Sequence, residues 1–133
     1  TLGDPLMDLG SALAYWIQED DDALMKSSRR QPTHLKGMLT RQQVVDYYLD
    51  KTGLQPENWA FYEVFGLFRL AVIAQQIYYR YYHQQTDNPA FKDFWILIHA
   101  LHIRALKLIA ANNAEAQQLI PEYGAKLQDI LKR

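Results

Sequence analysis

Residues 58–84 read NWAFYEVFGLFRLAVIAQQIYYRYYHQ, the longest mainly apolar stretch of the chain. Its apolar and aromatic side chains point in almost every direction around a helix, and a helix that is apolar all round is buried on most sides. By length the stretch could cross a membrane. Glu63, Arg69 and Arg80 interrupt it, however, and each charge near a bilayer centre would cost at least about 2.5 kcal/mol. We therefore predict a central core helix and no membrane span.

Sequence signals before this stretch predict two further helices. Asp4-Pro5 is a helix start, because Asp accepts hydrogen bonds from free backbone amides and Pro suits the first helical position. We expect this first helix to run to about Gln18. Thr40 and Gln43 form a capping-box pattern at the start of the next helix, and Gly53 is its expected end.

The remaining segments complete an all-α bundle of about five helices. Asn88-Pro89 begins a fourth helix that is predicted to reach about Ala111, and a last helical segment, broken or bent at Pro121, continues to Leu131. The polar stretch 19–39 predicts a mobile loop. Strand patterns are nearly absent. We therefore predict a single helical domain over residues 1–133.

Composition excludes several functional classes. The chain has 133 residues, of which 49% are hydrophobic, so it can bury a core. Its net charge of −1 comes from 14 basic and 15 acidic residues mixed along the sequence, whereas nucleic-acid binding usually requires a basic surplus or stripe. There is no cysteine, which excludes disulfides and thiolate metal sites and fits a cytoplasmic location. We expect neither nucleic acid nor membrane as a partner.

No complete catalytic motif is present in the sequence. The six glycines are isolated and form no phosphate-binding loop, and no nucleophile-elbow or HExxH pattern occurs. The acidic run Glu19 to Asp22 lacks the glycine and the distal Glu of a calcium loop, so it is predicted to be a solvated loop. We predict no catalytic residue and no metal ligand in this chain.

His99 and His102 lie one helical turn apart. This spacing could place two imidazoles on one metal ion, but no third ligand can be identified from the sequence. Such pairs more often lie at a contact between helices. We therefore expect a helix–helix seam at these residues, with a metal site as the alternative.

Four tyrosines surround Arg80 near the end of the central stretch: Tyr78, Tyr79, Tyr81 and Tyr82. We expect two of the four to pack inward and two to reach solvent with their hydroxyls. The alternative is a cation-binding cage or a stacking platform for a ligand.

Glu63 and Arg69 stand among apolar residues of the predicted core helix. An unpaired buried charge is very costly, so each is expected to have a partner. Their separation of six residues places them on different faces of the helix, and Asp4 or Asp8 is the expected partner of Arg69. The alternative is that the two charges line a substrate cavity.

Two segments resemble a known family. Residues 1–9 read TLGDPLMDL and residues 59–71 read WAFYEVFGLFRLA. Together they are similar to aminoglycoside-phosphotransferase-like small-molecule kinases, and most of all to the branch that is sometimes fused to acyl-CoA dehydrogenases. The segment QTDNP at residues 85–89 is similar to the same branch. The resemblance covers about residues 1–110.

The resemblance implies that the chain is the helical, acceptor-side part of the large kinase lobe. It implies that Asp8, with Asp4, braces the catalytic loop, and that helices carrying Trp16, Tyr62, Glu63 and Arg69 wall the acceptor pocket. ATP and Mg²⁺ would be bound by parts of a longer parent, whose other partner is a small-molecule acceptor. This chain, which begins at Thr1, is expected to be a fragment without activity of its own.

A different class of function is also open. The chain could be a helical interaction domain without chemistry that forms a homodimer through uncovered apolar surface.

Overall fold

The protein is all-helical, as predicted. The computed structural model describes residues 3–111 and 113–132, and within these residues it contains no strand. Thr1 and Leu2, the first two residues of the motif quoted above, lie outside the described residues. The six α-helices and one 3-10 helix are α1 (Pro5–Ala14), α2 (Ala23–Ser27), α3 (Arg41–Thr52), α4 (Trp59–Tyr82), η1 (Pro89–Phe91), α5 (Phe94–Ala110) and α6 (Ala114–Leu131).

The chain divides into two compact units, residues 1–66 and residues 67–133. Helix α4 supplies residues to both of them, because the division falls after Gly66. That the whole chain forms a single domain stays a prediction.

In the first unit, α1 begins as predicted and ends earlier. The Asp4 side chain accepts a hydrogen bond from the backbone amide of Leu6, and Pro5 occupies the first turn. The helix stops at Ala14 and not at Gln18. The reason lies in the next residues: the amide of Ile17 donates to the Thr33 hydroxyl, so the chain leaves the helical path.

The stretch 19–39 was predicted to be a mobile loop, and this is wrong in part. Asp22 caps the short helix α2 by accepting from the amide of Met25. Asp21 accepts from the Gln18 amide and from Arg41, so the acidic run is not simply solvated. Polar composition predicts a mobile segment here, whereas the polar side chains form helix caps and an ion pair.

The capping box at the start of α3 is confirmed. The Thr40 hydroxyl accepts from the amide of Gln43, and the Gln43 side chain accepts from the amide of Thr40. Gly53 ends the helix in the left-handed conformation, with φ of 70°.

Helix α4 has the predicted position but is not buried on most sides. By length and composition α4 could cross a membrane, as could the core helices of some soluble proteins. Only 17% of an apolar 18-residue stretch of this helix is buried, however. Leu67 and Ala74 are buried, whereas Phe68 and Tyr82 are 62% and 70% exposed. The prediction of an all-round core helix is therefore wrong: apolar composition does not ensure burial when no neighbouring element covers a face.

The second unit is formed around α5 and α6, which pack against each other. Asn88 caps η1, and α5 starts only at Phe94, so the predicted fourth helix begins five residues after Pro89. Helix α6 continues through Pro121 and is not broken there. The buried residues of this unit are mostly small, and they are Leu67, Ala74, Ala100, Leu101, Ala105, Ala110 and Ala116.

Candidate functional site

Asp4 and Tyr62 connect the two segments that carry the family resemblance. One carboxylate oxygen of Asp4 caps α1, and the other accepts a hydrogen bond of 2.8 Å from the Tyr62 hydroxyl. This hydrogen bond, followed by desolvation and the nearby carboxylate charges, raises the pKa of Tyr62 above its ordinary value. The phenol therefore stays protonated and acts as the donor.

Helices α1 and α4 touch backbone to backbone close to this contact. A Cβ atom on Gly10 would overlap the carbonyl group of Tyr62, and a Cβ atom on Gly66 would overlap the carbonyl group of Gly10. Only glycine fits at both positions, so the approach of the two helices depends on them. The sequence predicts no packing role for Gly10 or Gly66, because nothing local to either residue indicates which helix it contacts.

Asp8 lies in the first turn of α1 and is exposed. Within the part of the chain that the structure describes, its carboxylate makes no hydrogen bond or ion pair. Its oxygens can therefore accept hydrogen bonds from groups outside this chain.

Trp16 belongs to a different cluster. Its indole nitrogen donates to the carbonyl of Leu39 at 2.9 Å, and its own carbonyl accepts from Arg41. The Arg41 guanidinium also makes two hydrogen bonds to the Asp21 carboxylate, at 2.6 and 2.8 Å. Trp16 thus has a structural role in holding residues 16–41 together, and its hydrogen bonds do not join it to Tyr62.

The predicted burial of Glu63 and Arg69 is not observed. Glu63 is half-buried and Arg69 is exposed. Because an exposed guanidinium is solvated, the reasoning that demanded an ion-pair partner for Arg69 does not apply, and Asp4 uses its oxygens for Leu6 and Tyr62 instead. The burial of Glu63 and Arg69 was predicted wrongly because α4 was expected to be buried on most sides.

The tyrosine block divides as expected into two pairs. Tyr78 and Tyr81 are half-buried, while Tyr79 and Tyr82 are exposed. No member of the block is fully buried. A depression of about 550 Å³ lies at the end of the block, and its lining residues are Tyr81, Tyr82, Gln84, Thr86 and Asp87.

His99 and His102 of α5 meet Tyr123 of α6, in agreement with the expected helix–helix seam. The Nδ1 atom of His99 contacts the Tyr123 hydroxyl oxygen, and the Nδ1 atom of His102 lies 3.1 Å from the same oxygen. Burial, and then the charge of His102, lower the pKa of His99, and burial raises the pKa of Tyr123. Tyr123 was missed because it is more than twenty residues away on another helix.

Among the described residues, no group of three or more His, Asp or Glu side chains is arranged to hold a metal ion. Besides the cluster of Trp16, Arg41 and Asp21, the first unit has an aspartate–tyrosine link and the second unit has an imidazole–phenol cluster.

Comparison with known proteins gives one informative similarity. No protein-family model and no solved structure matches the chain. The chain is 35% identical over 82 residues to acyl-CoA dehydrogenase family member 10 of the mouse, Mus musculus. The match covers 60% of this chain and 8% of that relative, so the chain spans a small part of the relative's length. The relative's name refers to acyl-CoA dehydrogenases and contains no reference to a kinase.

Proposed function

We propose that this chain is the acceptor-side helical part of an ATP-dependent small-molecule phosphotransferase. The observation that carries the proposal is the Asp4–Tyr62 hydrogen bond, because it joins the two segments that resemble this kinase family, 58 residues apart in sequence. The similarity to a protein named for acyl-CoA dehydrogenases supports it further, since the branch that the two segments resemble is sometimes fused to such dehydrogenases.

In this proposal the chain positions groups and does not transfer the phosphoryl group itself. Phosphoryl transfer requires bound Mg²⁺, a nucleotide and a residue that orients the acceptor, and these belong to other parts of the parent protein. The exposed carboxylate of Asp8 would accept hydrogen bonds from backbone amides of the catalytic loop. Asp4 contributes by fixing the start of α1, on which Asp8 stands.

Tyr62 and Glu63 would face the acceptor from α4. The Tyr62 hydroxyl donates a hydrogen bond to Asp4 and keeps its proton, so its oxygen can still accept a hydrogen bond from a hydroxyl of the acceptor. The rings of Trp59 and Phe61 lie beside it, at centroid distances of 5.8 and 5.3 Å. A small polyhydroxylated acceptor fits this combination of a polar oxygen and aromatic faces.

The test uses the full-length parent protein with ATP, Mg²⁺ and a panel of small hydroxyl compounds. Asp8→Asn is expected to lower kcat by roughly tenfold to a hundredfold, because misplacement of a catalytic loop by about 1 Å has an effect of that size. Asp50→Asn is the matched control, since Asp50 is 77% exposed on α3, and its kcat should not change. Transfer to none of the acceptors, or equal effects of both variants, would refute the proposal.

Two further measurements examine the role of Tyr62 in binding the acceptor and the location of the nucleotide site. Tyr62→Phe should raise the KM for the acceptor more than it lowers kcat, because it removes a binding contact and keeps the ring. The isolated chain should give no heat on calorimetric titration with Mg-ATP, and micromolar binding would show that the nucleotide site lies within these residues.

A second candidate function is self-association through an exposed face of α4. Phe68, Val72, Tyr79 and Tyr82 are 62%, 39%, 54% and 70% exposed, and their spacing of four, seven and three residues places them on one side of the helix. A second copy of the chain would cover this face by two-fold, self-complementary pairing.

Light scattering of the purified chain tests this second function. A dimer is expected, and Phe68→Asp should convert it to a monomer. Tyr47→Asp is a matched control, because Tyr47 on α3 is also 62% exposed but does not belong to this face. A monomeric wild-type chain would rule out self-association and leave the phosphotransferase proposal untouched.

A further inference from the structure

We propose that His99, His102 and Tyr123 form a binding site for one divalent transition-metal ion, with copper(II) preferred over zinc. The site lies within the second unit, between α5 and α6, and does not depend on the proposed phosphotransferase function. Its donor atoms are two imidazole Nδ1 nitrogens and one phenol oxygen.

Both imidazole rings converge on the Tyr123 hydroxyl oxygen. His99 and His102 are three residues apart on α5, so their rings emerge from the same face one turn apart. Both Nδ1 atoms, and not the Nε2 atoms, are directed at the Tyr123 oxygen. His102 Nδ1 lies 3.1 Å from this oxygen, so donor atoms of two different helices are adjacent.

Hydrogen bonding alone does not require both histidines. A phenol has one proton, so Tyr123 can donate to only one Nδ1 atom, and the other imidazole must carry its own proton on Nδ1 to make a bond. A metal ion instead takes the Nδ1 lone pairs of both rings, each with its proton on Nε2. The phenol oxygen becomes the third ligand after it releases one proton to solvent.

The donor set determines the class of metal. Imidazole nitrogen suits copper, zinc and nickel, and the affinity order of divalent ions places copper above zinc. Magnesium prefers oxygen ligands, so it is expected to bind poorly. His102 is exposed and His99 is half-buried, so water can complete the coordination. Such a three-ligand site with an open position is typical of metals that remain accessible to small molecules.

The test is calorimetric titration of the intact chain with copper(II), zinc(II) and magnesium(II) salts. We expect one copper ion per chain, weaker binding of zinc, and no binding of magnesium. His99→Ala and His102→Ala should each weaken copper binding by at least about tenfold, since even the loss of a group that only supports a ligand costs 10- to 100-fold. A variant that carries both His99→Ala and His102→Ala should lose the site. If copper binds this double variant as tightly as the wild-type chain, the proposal is overturned.

Two variants separate a true site from general copper binding. His83→Ala is the matched control, because His83 is also exposed and its ring lies beside the rings of Tyr79 and Tyr82, away from α5 and α6 in sequence. Copper affinity should not change in this variant, and a loss equal to that in His99→Ala would overturn the proposal. Tyr123→Phe should keep the helical circular dichroism and lose the visible absorption band of phenolate bound to copper(II). A band that persists would exclude Tyr123 as a ligand.

Discussion

The two compact units achieve packing in different ways. In residues 3–66, α1 and α4 approach until their backbones touch at Gly10 and Gly66, and a nearly buried ion pair holds the intervening segment. In residues 67–132, α5 and α6 pack through small apolar residues, and their polar contact is a histidine–tyrosine cluster. The first unit contains two positions where only glycine fits, whereas the contacts described in the second unit are made by side chains.

The glycine positions should give the largest difference between the units. Gly66→Ala is expected to destabilise the protein by about 3 kcal/mol or more, because its Cβ would meet the backbone of Gly10, which cannot move aside without separating the helices. Gly124→Ala in α6 should instead stabilise it by up to about 1 kcal/mol, since nothing lies within 4 Å of the new atom and alanine favours a helix. Urea denaturation of both variants measures the difference. Equal effects would show that the close crossing does not determine stability.

This crossing shows the limit of what the sequence could predict. Helix starts at Asp4, Thr40 and Asn113 depend on neighbouring residues, and the first two were read correctly because capping is local. The contact between Gly10 and Gly66 is set by how two distant helices pack. A single sequence contains no signal for that pairing, since an isolated glycine within a helix looks like a weakness and not like a contact.

The difference between local sequence signals and the packing of distant helices also explains the wrong predictions for charged residues. Arg69 was expected to be buried because of its apolar neighbours along the chain, and the structure exposes it. Arg41 has mostly polar neighbours in sequence, which gives no sign of burial. Its side chain is nevertheless only 16% exposed, and that of its partner Asp21 only 10%. Burial depends on which face another element covers. Local composition therefore located the helices and failed to identify the buried charges.

Two arginine variants test whether Arg41, and not Arg69, is the buried charge. Arg41→Ala should cost about 3 kcal/mol, because it leaves the Asp21 carboxylate largely buried without this partner and removes the bond to the Trp16 carbonyl. Arg69→Ala should change stability by less than about 0.5 kcal/mol, as is usual for an exposed side chain. Thermal and urea denaturation of both variants give the comparison. A loss at Arg69 as large as that at Arg41 would restore the original expectation of a buried charge.

The candidate sites were predictable to different degrees. The histidine pair was found from its spacing of three residues, but Tyr123, on another helix, completes the cluster only in three dimensions. Asp4 and Tyr62 were named through the family resemblance, and the hydrogen bond between them was not foreseen. The sequence therefore identified two of the three residues of the histidine–tyrosine cluster and both residues of the aspartate–tyrosine link, whereas the contacts within each depend on the packing of helices.

The smallest expected difference concerns two helix ends with left-handed backbone. Gly53 ends α3 with φ of 70°, where glycine carries no steric cost, whereas Gln84 follows α4 with φ of 56°. Gln84 is held there because its amide donates to the Tyr81 carbonyl and the amide of Gln85 donates to the Arg80 carbonyl, the paired bonds of a Schellman ending.

Substitutions at these two ends should act in opposite directions. Gln84→Gly is expected to stabilise the protein by up to about 1 kcal/mol, because relief of the strained conformation exceeds the extra flexibility of glycine in the unfolded chain. Gly53→Ala is expected to destabilise it by about 1 kcal/mol, since it introduces the same strain. Urea midpoints measured at one temperature resolve the two signs. A loss of stability in Gln84→Gly would mean that the glutamine side chain makes a favourable contact at the depression it lines, outweighing the strain of its backbone.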